Sequence, residues 1–180
     1  MADQNGQMKF LSRTWAGFIA GFLATLIFHQ LMLAFLRGIG VAPAPFLPYS
    51  WTATEPFGMP AVLSLSFWGG IWGVVFVLIH GTFPRGSAYW VTAFIFGAIF
   101  PSLVALLVVL PLKGLPVGGS RHVSLFVTAL LVNGAWGVGT GVYLKRYKNR
   151  LKNLPSSRVN SRDPIATGEE RHVQEHQDSL

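Results

Sequence analysis

Six of the polar residues inside long apolar segments of the chain could form one site. If those segments cross a membrane, such side chains are unfavourable without a partner and suggest function by default, so we treat them as a candidate polar site. The alternative is that His29, Gln30 and Asn133 satisfy one another and hold helices together, at about 0.6 kcal/mol for each hydrogen bond. The six residues are His29, Gln30, Ser64, Ser66, Thr128 and Asn133.

The sequence lacks the residues and motifs on which most catalytic and cofactor chemistry depends. There is no cysteine, which excludes disulfides, thiolate metal sites, iron–sulfur clusters and covalent c-type haem attachment. Neither a G-x-S-x-G nor an H-E-x-x-H motif occurs, so the common hydrolase patterns are missing. We therefore predict a protein that is not an enzyme, with no catalytic residues, no cofactor and no metal site.

Two further chemistries are weighed against that prediction. Small proton-driven exporters place an acid within the membrane, but Glu55 is the only acid between Asp3 and Asp163 and it lies in a loop. An intramembrane protease would need a nucleophile and a base, which Ser64 or Ser66 with His29 could supply. Serines are common in spanning helices, so this pattern has low specificity.

The elements that must position the polar residues are four apolar segments, in a chain with only 12% charged residues against about 25% in soluble domains. Each segment is close to the roughly 20 residues that cross a bilayer as a helix. The sequence predicts an all-α integral membrane protein, a bundle of four transmembrane helices. The predicted spans are residues 14–36, 61–80, 88–110 and 122–144.

Basic residues near the span ends indicate the orientation. Lys9, Arg13, Arg85 and the basic segment 145–152 lie on one side, against Arg37, Lys113 and Arg121 on the other. The positive-inside rule then places residues 1–13 and both termini in the cytoplasm. We expect a multi-pass protein of a bacterial cytoplasmic (inner) membrane.

The segment 145–180 is predicted to be a cytoplasmic tail. Its basic part, 145–152, is expected to meet anionic lipid, at about 1 kcal/mol per charge near the surface. The polar remainder has few aliphatic residues and predicts disorder. His172 and His176 could bind a metal if the tail were helical, but solvated tail residues are the simpler interpretation. The charge distribution requires no nucleic acid partner.

A short motif, Gly-x-Trp-Gly-Val, occurs at residues 70–74 and again at 134–138, 64 positions later. Both copies fall in helices that run in the same direction, which favours two pseudo-repeated helical hairpins, with a chance echo as the alternative. Small residues let helices approach closely in lipid. The predicted packing residues are Gly17, Gly21, Gly69, Gly70, Trp72, Gly73, Gly134, Trp136, Gly137 and Gly141.

The loop between the first two spans is long and proline-rich, so regular helix is excluded from much of it. It carries Tyr49 and Trp51, residue types that suit the headgroup level of a membrane. We interpret it as an interfacial loop lying on the bundle, with a substrate lid as the alternative.

These observations favour a non-enzymatic structural or accessory helix bundle whose partners are the lipid bilayer and either further copies of itself or a larger membrane complex. The alternative function is a small carrier or channel for a neutral or weakly polar solute, with the polar site in the outer half of the membrane. No motif indicates a particular substrate.

Overall fold

A computed structural model describes residues 2–44, 46–112, 114 and 122–153. Lys113 and Arg121 lie outside the described residues, as does the predicted disordered tail with His172 and His176. The chain divides into two units, Met1–Tyr147 and Lys148–Leu180. The first unit contains all of the candidate site.

The first long helix contains three segments that follow one another without a break. They are the α-helix α1 (Ala2–Ala24), a π-helical segment (Thr25–His29) and the α-helix α2 (Gln30–Gly38). No proline occurs before Pro43, so nothing in the sequence removes a ladder hydrogen bond. The helix ends where Gly40 adopts a positive φ of 76°, a conformation that glycine adopts without strain.

The second long helix is α3 (Ala61–Ile79), which continues as a 3-10 turn over His80–Thr82. Pro60 precedes its first residue, where the missing N–H has no helical role. A short connection then leads to α4 (Ala88–Val104), a second π-helical segment (Ala105–Val109) and α5 (Leu110–Leu112). The π-helical segment follows Pro101, which lies inside α4.

The last long helix is α6 (His122–Lys152). It continues through the basic segment in which we expected the tail to begin, because Lys and Arg are good helix formers and cations are favourable at a helix C-terminus. Similarly, α1 begins well before residue 14, the predicted start of the first span. Both differences concern polar helix ends, which hydropathy does not detect.

Four helices in the described part of the chain are long and apolar enough to cross a membrane. This confirms the predicted four long helices in a mostly helical chain. The candidate spans are Phe10–Gly38, Ala61–Thr82, Ala88–Leu112 and Val123–Leu151.

The proline-rich loop contains a small β-hairpin that the sequence analysis did not predict. Strand β1 (Ala53–Thr54) pairs with antiparallel β2 (Met59–Pro60). Two backbone bonds fasten the segment before it to the start of α3, from Ala61 N–H to the carbonyl of Thr52 at 2.9 Å and from Val62 N–H to that of Ser50 at 3.0 Å. The β-hairpin is therefore held at the N-terminal end of the second long helix.

Two clusters of buried apolar side chains fill the bundle. The larger one is aromatic and includes Phe76, Tyr89, Phe96 and Trp136, with Ala20, Ala24 and Ala93 against it. The smaller one lies under the proline-rich loop and contains Leu33, Leu36, Ala42 and Val132.

Candidate functional site

The first and second long helices, here called the N-terminal hairpin, meet along a seam of glycines. A methyl group built on Gly21 would overlap the carbonyl oxygen of Gly69, and one built on Gly73 would overlap that of Gly17. Gly70 lies against the ring of Phe18. Only glycine allows the two backbones to approach this closely.

The third and fourth long helices, here called the C-terminal hairpin, meet in the same way. A methyl group on Gly97 would overlap the carbonyl oxygen of Asn133, and one on Gly137 would overlap that of Ala93. Gly134 lies against the ring of Phe94.

These contacts repeat at constant sequence offsets. Every residue from the first helix has its counterpart 76 positions later, and every residue from the second helix has its counterpart 64 positions later. Gly21 thus corresponds to Gly97, and Gly73 to Gly137.

The same register is visible in the sequence of the first and third helices once the contacts give the offset. Phe-Ile-x-Gly occurs at residues 18–21 and at 94–97, and a basic residue followed by glycine occurs at 37–38 and at 113–114. Gly21 and Gly97 fall in this register, whereas Trp15 and Trp90 are one position out of it.

The two repeated tryptophans do not behave alike. Trp136 is buried, and its indole N–H donates to the carbonyl of Gly21 at 3.0 Å. That carbonyl also accepts from the Thr25 hydroxyl at 3.0 Å, and Thr25 lies against Gly69. Trp72 is partly buried and packs edge-on against Phe96. Of the two tryptophans, Trp136 is therefore an anchored indole and Trp72 an aromatic packing residue.

The alternative that His29, Gln30 and Asn133 satisfy one another is not what the structure shows. Gln30 is buried, and its side-chain oxygen accepts from the backbone N–H of Tyr49 at 2.8 Å. His29 is also buried, and its Nδ1 has no hydrogen-bond partner among the described residues. Asn133 donates instead to Ser102 Oγ at 3.0 Å.

The Tyr49 side chain completes a link between the proline-rich loop and the π-helical segment. In a regular α-helix the Gln30 N–H would bond the carbonyl of Leu26. Here it points to the carbonyls of Thr25 and Ile27, and the Tyr49 hydroxyl donates to Leu26 at 3.0 Å. Tyr49 has a positive φ of 50°, a conformation that is uncommon outside glycine and that persists when surrounding contacts fix it.

The remaining predicted polar residues are placed separately. Ser66 is buried and donates to the carbonyl of Val62 at 2.7 Å, one turn earlier in its own helix. Ser64 is half-buried. Thr128 is buried, and its hydroxyl has no partner in the described part of the chain. The recorded hydrogen bonds join none of the six predicted residues to another.

Sequence reasoning missed three polar residues that make contacts between elements. Ser102 donates to the carbonyl of Ala129 at 2.9 Å while it accepts from Asn133, and Thr25 and Tyr49 have the roles described above. A signal for Ser102 was present, because it follows Pro101 inside a helix, where freed backbone groups commonly find side-chain partners.

At the opposite end of the bundle, Lys145 lies over two aromatic rings. Its Nζ is 4.0 Å from the centroid of Tyr89 and 4.1 Å from that of Trp90. Such cation–π contacts are stabilising by about 0.5–1 kcal/mol at exposed sites. They join the start of α4 to the end of the apolar part of α6.

Within the described residues, no group of three or more His, Asp or Glu side chains is placed to hold a metal ion. Comparison with known proteins gives no assignment either: no family model, no curated protein and no solved structure matches the chain.

Proposed function

We propose that the chain is a multi-pass membrane protein of a bacterial cytoplasmic membrane, built from two like helical hairpins. We further propose that it is not an enzyme and acts as a structural or accessory subunit. The observation that carries this proposal is that the four long helices turn glycine towards one another and large apolar side chains outwards.

The outward faces support membrane insertion. Each long helix exposes a row of large apolar residues, far more than a soluble monomer tolerates as contiguous surface. In a hydrocarbon environment, exposed apolar side chains carry no such cost. Helices in lipid associate through close packing, which the glycines of the two seams permit. Examples are Ile19, Ile27 and Leu31 on the first helix, Phe67, Trp68 and Leu78 on the second, Ile95, Leu103 and Leu107 on the third, and Phe126, Val127 and Leu130 on the fourth.

Membrane insertion is tested by washing membranes that contain the full chain with alkaline carbonate. An inserted bundle stays in the pellet together with a known integral protein, whereas a peripheral protein is released. Recovery of the chain in the supernatant would contradict the proposal.

The distribution of basic residues supports cytoplasmic termini. Single cysteines at Gln7 and Ala44 give a direct test, because the natural chain has none and both side chains are exposed. In spheroplasts, an impermeant maleimide should label position 44 at once and position 7 only after lysis. The reverse pattern would contradict the orientation.

The structural role is supported by the way in which most polar groups within the long helices are satisfied. Ser66 and Thr140 each donate to a carbonyl one turn earlier, and Ser102 and Asn133 bond within the C-terminal hairpin. Purification in mild detergent with mass measurement tests the role. Recovery of an unaccompanied monomer would contradict membership of a homo-oligomer or larger complex.

A second candidate function, a carrier or channel for a neutral or weakly polar solute, is favoured by two buried groups. His29 Nδ1 and Thr128 Oγ1 have no partner among the described residues, and Tyr49 of the proline-rich loop bonds beside His29. A carrier predicts that His29→Ala abolishes solute uptake while the fold stays intact. A structural bundle predicts that His29→Ala changes little while Gly137→Leu disrupts assembly.

The basic segment 145–152 is proposed to meet anionic lipid. Arg146, Lys148 and Arg150 are exposed, and clusters of basic residues next to a spanning helix typically bind acidic headgroups. Replacement of all three by Gln should remove the stabilisation that phosphatidylglycerol gives the protein in detergent. An unchanged effect of the lipid would contradict this assignment.

A further inference from the structure

The β-hairpin of the proline-rich loop presents large apolar side chains that nothing in the described fold covers. Phe57 at its tip is 87% exposed, Trp51 just before it is 71% exposed, and Met59 is also exposed. We call these three residues the aromatic tip. An exposed apolar group of this kind marks an interaction surface.

Two features of the structure determine what can cover the aromatic tip. The backbone bonds from Ala61 to Thr52 and from Val62 to Ser50 fix the loop to the first turn of α3. Leu63, Leu65 and Phe67 continue the exposed apolar surface along that helix. The tip is thus continuous with the face that the proposed function assigns to lipid.

The chemistry of the loop favours a particular kind of lipid contact. Between Gly38 and Arg85 the only formal charge is Glu55, so attraction to acidic headgroups cannot hold this segment. Trp and Phe are the side chains that insert at the boundary between headgroups and acyl chains.

We propose that the aromatic tip is a lipid-binding surface that inserts into the interfacial layer of the outer leaflet, through apolar contact and without any requirement for anionic lipid. This inference rests on the proposed membrane insertion of α3. It gives the proline-rich loop a role as an anchor for the outer end of the N-terminal hairpin.

Spin labels on introduced cysteines test the inference in vesicles of phosphatidylcholine. Position 57 is the probe, position 67 in α3 is the reference for the membrane interior, and position 7 is the reference for water. Collision with oxygen, which concentrates in lipid, is compared with collision with a water-soluble nickel chelate. We expect the oxygen-to-nickel ratio at 57 to exceed that at 7 severalfold, and to stay the same when phosphatidylglycerol is added.

The possible failures are distinguishable. If the label at 57 meets nickel as freely as the label at 7, the tip lies in water and the inference is wrong. If it is shielded from both reagents, protein covers the tip and the inference is again wrong. If the label at 67 is itself open to nickel, the proposed membrane insertion fails, and this inference fails with it.

A second pair of variants tests the Phe57 side chain itself, with the spin label at a different position. With the label at Met59→Cys, we expect Phe57→Asp to lower the oxygen-to-nickel ratio severalfold, because an aspartate does not enter the interfacial layer. Phe57→Leu is the matched control and should preserve the ratio. An equal ratio in the two variants would overturn the role assigned to Phe57.

Discussion

The N-terminal and C-terminal hairpins share a seam but differ in what surrounds it. In the N-terminal hairpin, a glycine of the first long helix meets a glycine of the second at backbone distance. In the C-terminal hairpin, a glycine of the third long helix meets a glycine of the fourth in the same way. Around that contact the residues diverge: Asn133 stands at the position of Gly69, and Leu106 at the position of Gln30. The comparison indicates that backbone approach fixes the glycines, whereas the flanking positions are free to take polar or apolar side chains.

Burial agrees at some positions of this register and differs at others. Ile19 and its counterpart Ile95 are about equally exposed, at 53% and 48%, and Gln30 and Leu106 are both buried, whereas Leu36 is buried and its counterpart Leu112 is exposed. A buried polar residue and a buried apolar residue thus occupy equivalent places. The N-terminal hairpin uses its polar residue to bond the proline-rich loop.

The largest expected effect comes from enlarging the glycines of the seam. Gly21→Leu and Gly97→Leu should each lower the free energy of unfolding by at least about 1–3 kcal/mol, the usual cost of overpacking, because each new side chain meets a backbone carbonyl. Thermal unfolding in detergent measures both. Like hairpins predict losses of similar size.

The matched control is Gly38→Leu, because a side chain at Gly38 meets nothing within 4 Å. Its melting temperature should stay close to that of the natural protein. A loss in the control as large as in the seam variants would show that helix glycines matter for some reason other than close approach.

The two tryptophans give the next largest difference between the hairpins. Trp136→Phe removes the buried hydrogen bond to Gly21, whereas Trp72→Phe removes no recorded hydrogen bond. The first variant should therefore be less stable than the second by about 1 kcal/mol, the usual net worth of one hydrogen bond. Equal melting temperatures would contradict the anchoring role of the Trp136 indole.

The polar contact of Ser102 with Asn133 is found only in the C-terminal hairpin. A double-mutant cycle with Ser102→Ala and Asn133→Ala should give a coupling energy of about 0.6 kcal/mol, the value typical of hydrogen bonds between membrane helices. Ser66→Ala with Asn133→Ala is the control pair and should be additive, because Ser66 bonds only within its own helix. A coupling energy near zero for Ser102 and Asn133 would show that this contact does not contribute to stability.

The smallest expected effect on stability comes from making Gln30 resemble its counterpart. Gln30→Leu should change the melting temperature little, since Leu106 fills the equivalent place. It should nevertheless accelerate hydrogen exchange of the Tyr49 amide, whose acceptor is lost. Unchanged exchange at Tyr49 would show that Gln30 does not hold the proline-rich loop.

Much of the fold could be predicted because an apolar segment of about 20 residues indicates a long helix. The packing glycines were also predictable, since Gly17 and Gly21 have no other obvious purpose in a helix interior. The sequence indicated only one of the two offsets that relate the hairpins. The Gly-x-Trp-Gly-Val echo gave the offset of 64, but the offset of 76 emerged from the contacts of Gly21 and Gly97.

The polar contacts could not be predicted in the same way, because they depend on backbone geometry rather than on composition. The π-helical segment at Thr25–His29 shifts the helical hydrogen bonds and leaves the Leu26 carbonyl to Tyr49. Neither the position of that segment nor the positive φ of Tyr49 has a clear sequence signal. Hydropathy likewise gives no sign of the β-hairpin at Ala53–Pro60.

The central claim, that two like hairpins build the bundle, is tested most directly by distances between pairs of spin labels in lipid vesicles. One pair is placed at Ile19 and Leu63, and the other at the equivalent positions Ile95 and Val127, all four of which are exposed. Double electron–electron resonance should give closely matching distance distributions for the two pairs. Clearly different mean distances would contradict the repeat.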